Sequence, residues 1–191
     1  MWFFGGLRNL ARVKHNGRRL SDILEAHQRF TRGDAAGARA NLSGADLRGV
    51  DFRGQNLRGA NLRKAKLDES DFRGAKLGGA DLSGASCRKC VFSNCDLTEA
   101  RAAGADFSEA ALSGSELFRM DLTRAVLRNA SLRGSNLRSA ILQGCDLSGA
   151  DLGAASIREL DLSGVRLDGA KTADAVIRDI VRAEQDSGVR S

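Results

Sequence analysis

The chain has 191 residues and a formal net charge of +6, with 30 Lys and Arg against 24 Asp and Glu, no Pro and no Tyr. That length suits one domain, and because aromatic residues make up only 5%, any core must consist mainly of Leu and Ala. No segment reaches the ~20 apolar residues of a membrane helix, and the first residues lack the order of a secretory signal. We therefore expect a cytoplasmic protein whose four cysteines are reduced.

The first segment, residues 1–19, is a basic and aromatic tail. It holds five basic residues and no acid, and it begins with a cluster of aromatic side chains. Such a segment can bind an anionic membrane, which would place the protein at the inner membrane surface. The alternative is a tail that is disordered or packed on the rest of the chain. The candidate membrane-binding residues are Trp2, Phe3, Phe4, Arg8, Arg12 and Lys14.

Residues 20–39 predict a helical cap followed by a connector. Ser21 is a suitable N-cap, and the spacing of the apolar residues after it is helical. The segment from Thr31 to Arg39 contains Gly and predicts a loop. The predicted buried face of the helix consists of Leu20, Ile23, Leu24 and His27, with Phe30 close behind.

Residues 40–171 repeat with a period of five and without an insertion. From Leu42 to Leu167, 24 of 26 positions at this spacing are Leu, Phe or Ile, and the exceptions are Cys87 and Ala102. Two residues before these central positions, 21 of 26 are Ala, Ser or Cys; two residues after them, 14 of 26 are Gly. A period of five fits neither a helix nor a simple strand, so the chain must turn within every unit. Units this short must stack to bury their apolar side chains.

The charged residues indicate how many units form one coil. With four units per coil, residues 20 apart lie one above the other at about 4.8 Å, and facing charges should alternate in sign. Three columns alternate in sign: Asp81, Arg101 and Asp121; Arg48, Asp68 and Arg88; and Glu69, Lys89 and Glu109. Two pairs at the same spacing instead bring like charges together, Asp51 with Asp71 and Arg53 with Arg73. The same spacing stacks Phe52, Phe72 and Phe92, and the balance favours a coil of four units.

Residues 172–191 predict a C-terminal capping helix and a short tail. Thr172 is a suitable N-cap, and the apolar residues that follow it form one helical stripe. Because the ends of an open solenoid expose strand edges that promote aggregation, we interpret both helices as lids. The alternative for the C-terminal helix is that it forms a homodimer, and a lid that also dimerises is compatible with both interpretations. Its apolar stripe consists of Val176, Ile177, Ile180 and Val181.

The repeat resembles the pentapeptide-repeat family, whose unit is a small residue, Asp or Asn, Leu or Phe, and two variable residues. Ala45-Asp46-Leu47-Arg48-Gly49 and Ala150-Asp151-Leu152-Gly153-Ala154 are clear examples. The resemblance covers about two-thirds of the chain. It implies an all-β solenoid, a right-handed quadrilateral parallel β-helix of about 6.5 coils, which the two predicted helices would cap.

The sequence contains no recognisable catalytic or cofactor-binding arrangement. His15 and His27 both precede the repeat, and neither has the spacing of a metal motif. Cys87 and Cys90 form a C-x-x-C pair, but both lie at interior positions of the repeat, where a thiol is a compact apolar filler. We therefore expect no enzyme activity, no cofactor and no metal.

A rigid rod without a pocket favours a non-enzymatic protein-interaction or scaffold role. The alternative is a DNA gyrase or topoisomerase inhibitor or protector that mimics DNA, as implied by some relatives, but residues 40–171 hold 19 Lys and Arg against 17 acids and no loop interrupts them. Nucleic-acid binding is disfavoured by the mixed charges. A partner-binding or self-association patch is predicted where apolar residues replace polar ones on the outer positions: Val91, Ala111, Phe118, Val126 and Ile141.

Overall fold

The computed structural model describes residues 7–181. Its body is a four-sided coil in which parallel bridges join each unit to the fourth unit after it, from Asn41 with Asn61 to Asp151 with Lys171. The coil of four units predicted from the charges is therefore confirmed. Each side of a coil places a single bridging residue between two turns, so most of the rod consists of isolated bridges rather than long strands.

A tight turn closes every unit of the rod. In one example, the backbone N–H of Val50 donates to the carbonyl oxygen of Leu47 at 3.3 Å, and Gly49 between them has a φ of 63°. This left-handed conformation explains the frequent Gly two residues after the central position. Other residue types adopt it too, such as Glu69 with a φ of 62° and Ala154 with a φ of 56°.

The core is a single column of apolar side chains along the axis of the rod. The rings of Phe52, Phe72 and Phe92 stack with centroids 4.7 Å apart and planes inclined by 8°. Phe107 ends this stack with an edge contact at 5.7 Å. The stacking predicted from the spacing of one coil is therefore confirmed, and the small residues between the central positions let the backbone turn close to the core.

The residues before the repeat also pack on the rod. They form a short 3₁₀ helix, Leu10–Arg12, an antiparallel pair of strands, β1 (Lys14–His15) and β2 (Arg18–Arg19), and the helix α1 (Leu20–Thr31). Among residues 7–181, no helix is long and apolar enough to cross a bilayer.

Residues 8–19 are thus not a detached tail. Arg8 pairs in parallel with Val50 of the first coil, and Val13 is 1% exposed. Trp2, Phe3 and Phe4 lie outside the described residues. The segment therefore covers part of the coil edge that the sequence predicts to be covered by the helix alone.

The helix α1 has the predicted buried face of Leu20, Ile23, Leu24 and His27, whereas Phe30 is 46% exposed. The predicted N-cap is wrong. The helix begins at Leu20, one residue before Ser21, and the Ser21 hydroxyl donates to the carboxylate of Asp22 instead. Arg19 stands at the N-cap without a capping side-chain bond, because β2 runs directly into the helix.

The predicted C-terminal helix is also wrong. The strand β4 (Val176–Val181) replaces it and pairs in parallel with β3 (Ser156–Asp161), again with partners one coil apart. The physical reason is that β-branched residues suit an extended chain, and β3 offers them an edge with matching register. The apolar stripe that fits a helix therefore extends the coil, and residues 182–191 lie outside the described part.

Candidate interaction surface

The outer positions of the rod carry a network of Asp and Arg. Its commonest pair joins an Arg to an Asp of the next coil: Arg128 Nε lies 2.6 Å from Asp146 Oδ2, and Arg63 Nη1 lies 3.2 Å from Asp81 Oδ2. Hydrogen bonds from Ser148 and then from Arg128 lower the pKa of Asp146 to about 2. Because the arginines are half exposed, each pair contributes little stability, but the network defines a polar surface.

Some of the vertical charge pairs predicted from the sequence are present. They are Arg101 with Asp81 at 3.2 Å and Lys89 with Glu109 at 3.7 Å. A further pair with the same spacing joins Arg166 to Asp146 at 3.7 Å. The predicted column of Arg48 and Asp68 behaves differently, because Arg48 Nη2 bonds to Asp46 Oδ2 of its own unit at 2.6 Å.

The vertically neighbouring carboxylates of Asp51 and Asp71 are each paired with an arginine of their own unit. Each carboxylate binds the arginine two residues later, at 2.6 Å for Arg53 and 2.5 Å for Arg73. The Arg53 bond lowers the pKa of Asp51. A column of two Asp residues therefore lies beside a column of two Arg residues, and each Asp pairs with the Arg of its own unit.

One side of the rod loses its charges in the middle. Its bridging column runs from Asp71 through three uncharged residues to Asp151. The positions two residues after Val91 and Ala111 are serines, and the hydroxyls of Ser113 and Ser131 lie 2.9 Å apart. We call Val91, Ser93, Ala111, Ser113 and Ser131 the neutral strip; all five are half-buried. The strip is bounded by the Asp71–Arg73 pair at one end and the Arg133–Asp151 pair at the other.

Phe118 lies on the adjacent side of the rod, in the same coil as Ala111. It is half-buried, and the guanidinium carbon of Arg119 lies 4.9 Å from the centroid of its ring. Arg119 Nη1 lies 3.6 Å from Glu99 Oε1, which holds the guanidinium over the ring. Phe118 therefore borders the neutral strip across one corner and carries a cation on its face.

The other two residues of the predicted patch lie elsewhere. Val126 pairs with Asp106 and Asp146 in one column, and Ile141 pairs with Asp121 in another and is 51% exposed. The structure thus brings Val91 and Ala111 together, places Phe118 at the next side and separates Val126 and Ile141 from them. The sequence analysis did not identify Ser93, Ser113 and Ser131, because it considered only apolar residues at the outer positions. A run of uncharged residues at intervals of 20 would have identified them.

The thiols and histidines do not form a reactive site in the described residues. All four cysteines are buried; the thiol of Cys90 donates to the Leu67 carbonyl and that of Cys95 to the Phe72 carbonyl. Burial raises the pKa of Cys95 and of Cys145 to about 12. Within residues 7–181, no three His, Cys, Asp or Glu side chains are placed to hold a metal ion.

An apolar cavity of about 170 Å³ lies at the carboxyl end of the rod, where its lining residues Leu167 and Ile177 are exposed. Leucine and isoleucine side chains line it, from Leu137 to Ile177, and Thr172 supplies the one polar residue among its lining. A cavity of this chemistry has no group for acid, base or nucleophilic catalysis.

These features define a class of protein, a parallel β-helical rod whose chemistry lies on its outer surface. The family model for pentapeptide repeats matches eight copies within residues 38–171, and the chain belongs to this family. Pentapeptide-repeat proteins fold as right-handed quadrilateral β-helices. No curated protein sequence matches this chain.

Several solved structures of the family are similar to this chain. A trypsin-treated variant of QnrB1, a plasmid-mediated fluoroquinolone resistance protein, is 25% identical over 72% of this chain and 76% of its own, with a TM-score of 0.43. HetL of the cyanobacterium Nostoc, involved in heterocyst differentiation regulation, is 29% identical over 71% and 82%, with a TM-score of 0.24. A thylakoid-lumen protein of Arabidopsis thaliana is 31% identical over 62% and 72%, with a TM-score of 0.33.

Proposed function

We propose that this protein is a non-enzymatic interaction module that binds a partner protein against the neutral strip and Phe118. The observation that carries the proposal is a column in which three consecutive bridging residues, Val91, Ala111 and Ser131, are uncharged. The bridging residues before and after them are Asp71 and Asp151. The five residues of the strip give a partner no ionised group to desolvate, whereas the other columns contain Asp and Arg. At the corner, the partner meets the guanidinium of Arg119 on the ring of Phe118.

The shape of the strip also supports a protein partner. Short parallel bridges make each side of the rod flat, and the stacked rings of Phe72 and Phe92 support this side from within. Phe118 and Arg119 at the corner offer an aromatic and a guanidinium group, the residue types most often found in interface hot spots.

Mimicry of DNA finds less support on this surface. A DNA mimic needs continuous rows of negative charge, and here arginines interleave with the aspartates both within units and between coils. We therefore expect a partner that contacts the neutral strip, rather than one whose binding site neutralises the phosphates of DNA.

The test is capture of the partner from the native cell, identified by mass spectrometry. Ala111→Arg puts a charge in the centre of the strip and Phe118→Asp removes the aromatic anchor, so both variants should lose the protein that the wild type enriches. Val126→Arg makes the same kind of change on another side and should retain the captured protein.

Sedimentation of the purified protein tests whether the partner is a second copy of this chain. A dimer that Ala111→Arg dissociates identifies a second copy as the partner. Retention of every partner by both strip variants contradicts the proposal.

A further inference from the structure

The formal charge of the protein is concentrated at its amino-terminal end. Residues 7–39 hold eight Arg and Lys against three Asp and Glu, whereas residues 40–171 are nearly balanced. An excess of five positive charges therefore lies on the short segment that packs on the first coil. Such a local field attracts an anionic surface or polymer.

The fold holds these charges in one compact array. The strands β1 and β2 pair Lys14 with Arg19 and His15 with Arg18, directly after the 3₁₀ helix that contains Arg12. We call Arg12, Lys14, Arg18 and Arg19 the basic hairpin. All four side chains are exposed, and no acidic group of residues 7–181 lies within ion-pair distance of them.

The hairpin is fixed to the rod from below. Val13 is buried, and its carbonyl oxygen accepts a hydrogen bond from the Leu20 N–H at 2.8 Å, which closes the segment at the start of α1. Because the backbone is held, the points from which the four side chains extend are fixed without a partner. Their binding therefore needs less ordering than that of a flexible basic tail.

Arg8 does not belong to this array, although the sequence places it among the candidate membrane-binding residues. Its Nη1 donates to the carbonyl oxygen of Arg48 at 3.1 Å and lies 3.9 Å from Asp46 Oδ1. Arg8 thus fastens the segment to the first coil. Within residues 8–19, the cations without an ion pair are therefore those of the basic hairpin.

We propose that the basic hairpin binds the headgroups of anionic phospholipids and so attaches the rod to a membrane by its amino-terminal end. Two exposed apolar residues of the same end, Leu7 at 38% and Phe30 at 46%, supply the interfacial contact that usually accompanies such a cluster. Strands this short form a patch rather than a track, which suits a headgroup layer better than the backbone of a nucleic acid.

Membrane binding goes beyond the proposed interaction function, because it needs no protein partner. The experiment is sedimentation of the full chain with phosphatidylcholine vesicles that contain or lack phosphatidylserine, over a series of salt concentrations. We expect binding to the vesicles with phosphatidylserine and progressive release by salt. Arg18→Gln with Arg19→Gln should weaken it by about 30-fold, since each basic residue near the surface contributes roughly fivefold.

The matched control is Arg124→Gln with Lys171→Gln, which removes the same charge from two exposed positions of the rod that lie at least four coils from the first. This control should bind within about twofold of the wild type, because these positions lie beyond the reach of the surface field. Equal loss in both double variants would overturn the proposal, as would absence of binding to phosphatidylserine vesicles. Binding to duplex or single-stranded DNA in place of vesicles would also overturn it. Capture of the protein partner is insensitive to Arg18→Gln and Arg19→Gln, so the two proposals fail separately.

Discussion

The Nδ1 atom of His27 accepts a hydrogen bond from the backbone N–H of Ala40 at 3.1 Å. This bond joins α1 to the first small interior residue of the repeat, and the His27 side chain is fully buried. A proton on Nδ1 would remove the acceptor and place a charge beside Arg39. Burial, together with the charge of Arg39, lowers the pKa of His27 below 6.5.

Acidification should therefore destabilise the amino-terminal end. Below pH 6.5 the unfolded chain takes up a proton at His27 that the folded chain refuses, so stability is full above that pH and is lost as the pH falls toward the folded pKa. Urea denaturation across this range measures the effect. His27→Gln can accept the same bond but does not titrate, and it should show a flatter pH dependence; identical slopes for both proteins would contradict this role.

Gly37 should not tolerate a side chain. A Cβ at this position would lie 2.1 Å from the backbone nitrogen of Phe30, so the connector and α1 would have to separate. We expect Gly37→Ala to destabilise the protein by about 1–3 kcal/mol, measured by chemical denaturation. Gly78→Ala is the control, because its new Cβ meets its nearest atom, a carboxylate oxygen of Asp96, at an ordinary 3.5 Å. A cost as large for Gly78→Ala would refute this explanation.

The phenylalanine stack should contribute strongly to the stability of the rod. Phe72 is fully buried between Phe52 and Phe92, and its removal leaves a cavity with ring faces on both sides. Phe72→Ala should cost about 3–5 kcal/mol in the free energy of unfolding, measured by chemical denaturation. Phe72→Leu should cost less, because Leu is the commonest central residue of the repeat. Equal losses would contradict the cavity explanation, because Leu refills much of the volume that Ala leaves empty.

Two turn substitutions should change the stability of the protein in opposite directions, one that removes a Gly and one that introduces a Gly. Gly134 has a φ of 63° with open space around a new Cβ, so Gly134→Ala should destabilise by about 1 kcal/mol through backbone strain alone. Ala154 is exposed with a φ of 56°, so Ala154→Gly should stabilise by up to about 1 kcal/mol. Thermal unfolding of both variants measures the two effects. If both unfolding temperatures rise or both fall, the explanation by backbone strain is contradicted.

The rod was predictable because its pattern is local and repeated. Every unit places its own large and small residues, and the signs of the charges in vertically neighbouring units were enough to give the size of the coil. The buried face of α1 followed from helical spacing in the same way. The candidate surface was only partly predictable: the predicted patch includes Val91 and Ala111, which the fold brings together, but the serines beside them carry no apolar signal.

The ends of the rod required the tertiary structure. Val176, Ile177 and Ile180 satisfy both a helical and an extended pattern over so short a segment, and the available edge of β3 decides for the strand. Arg8 looks like a free cation in the sequence, and only its placement beside Arg48 and Asp46 shows that it is engaged. The period of five thus determined the coil by itself, because each unit repeats the same local choice. The two ends have no repeat to follow, so contacts with the adjacent coil decide their structure.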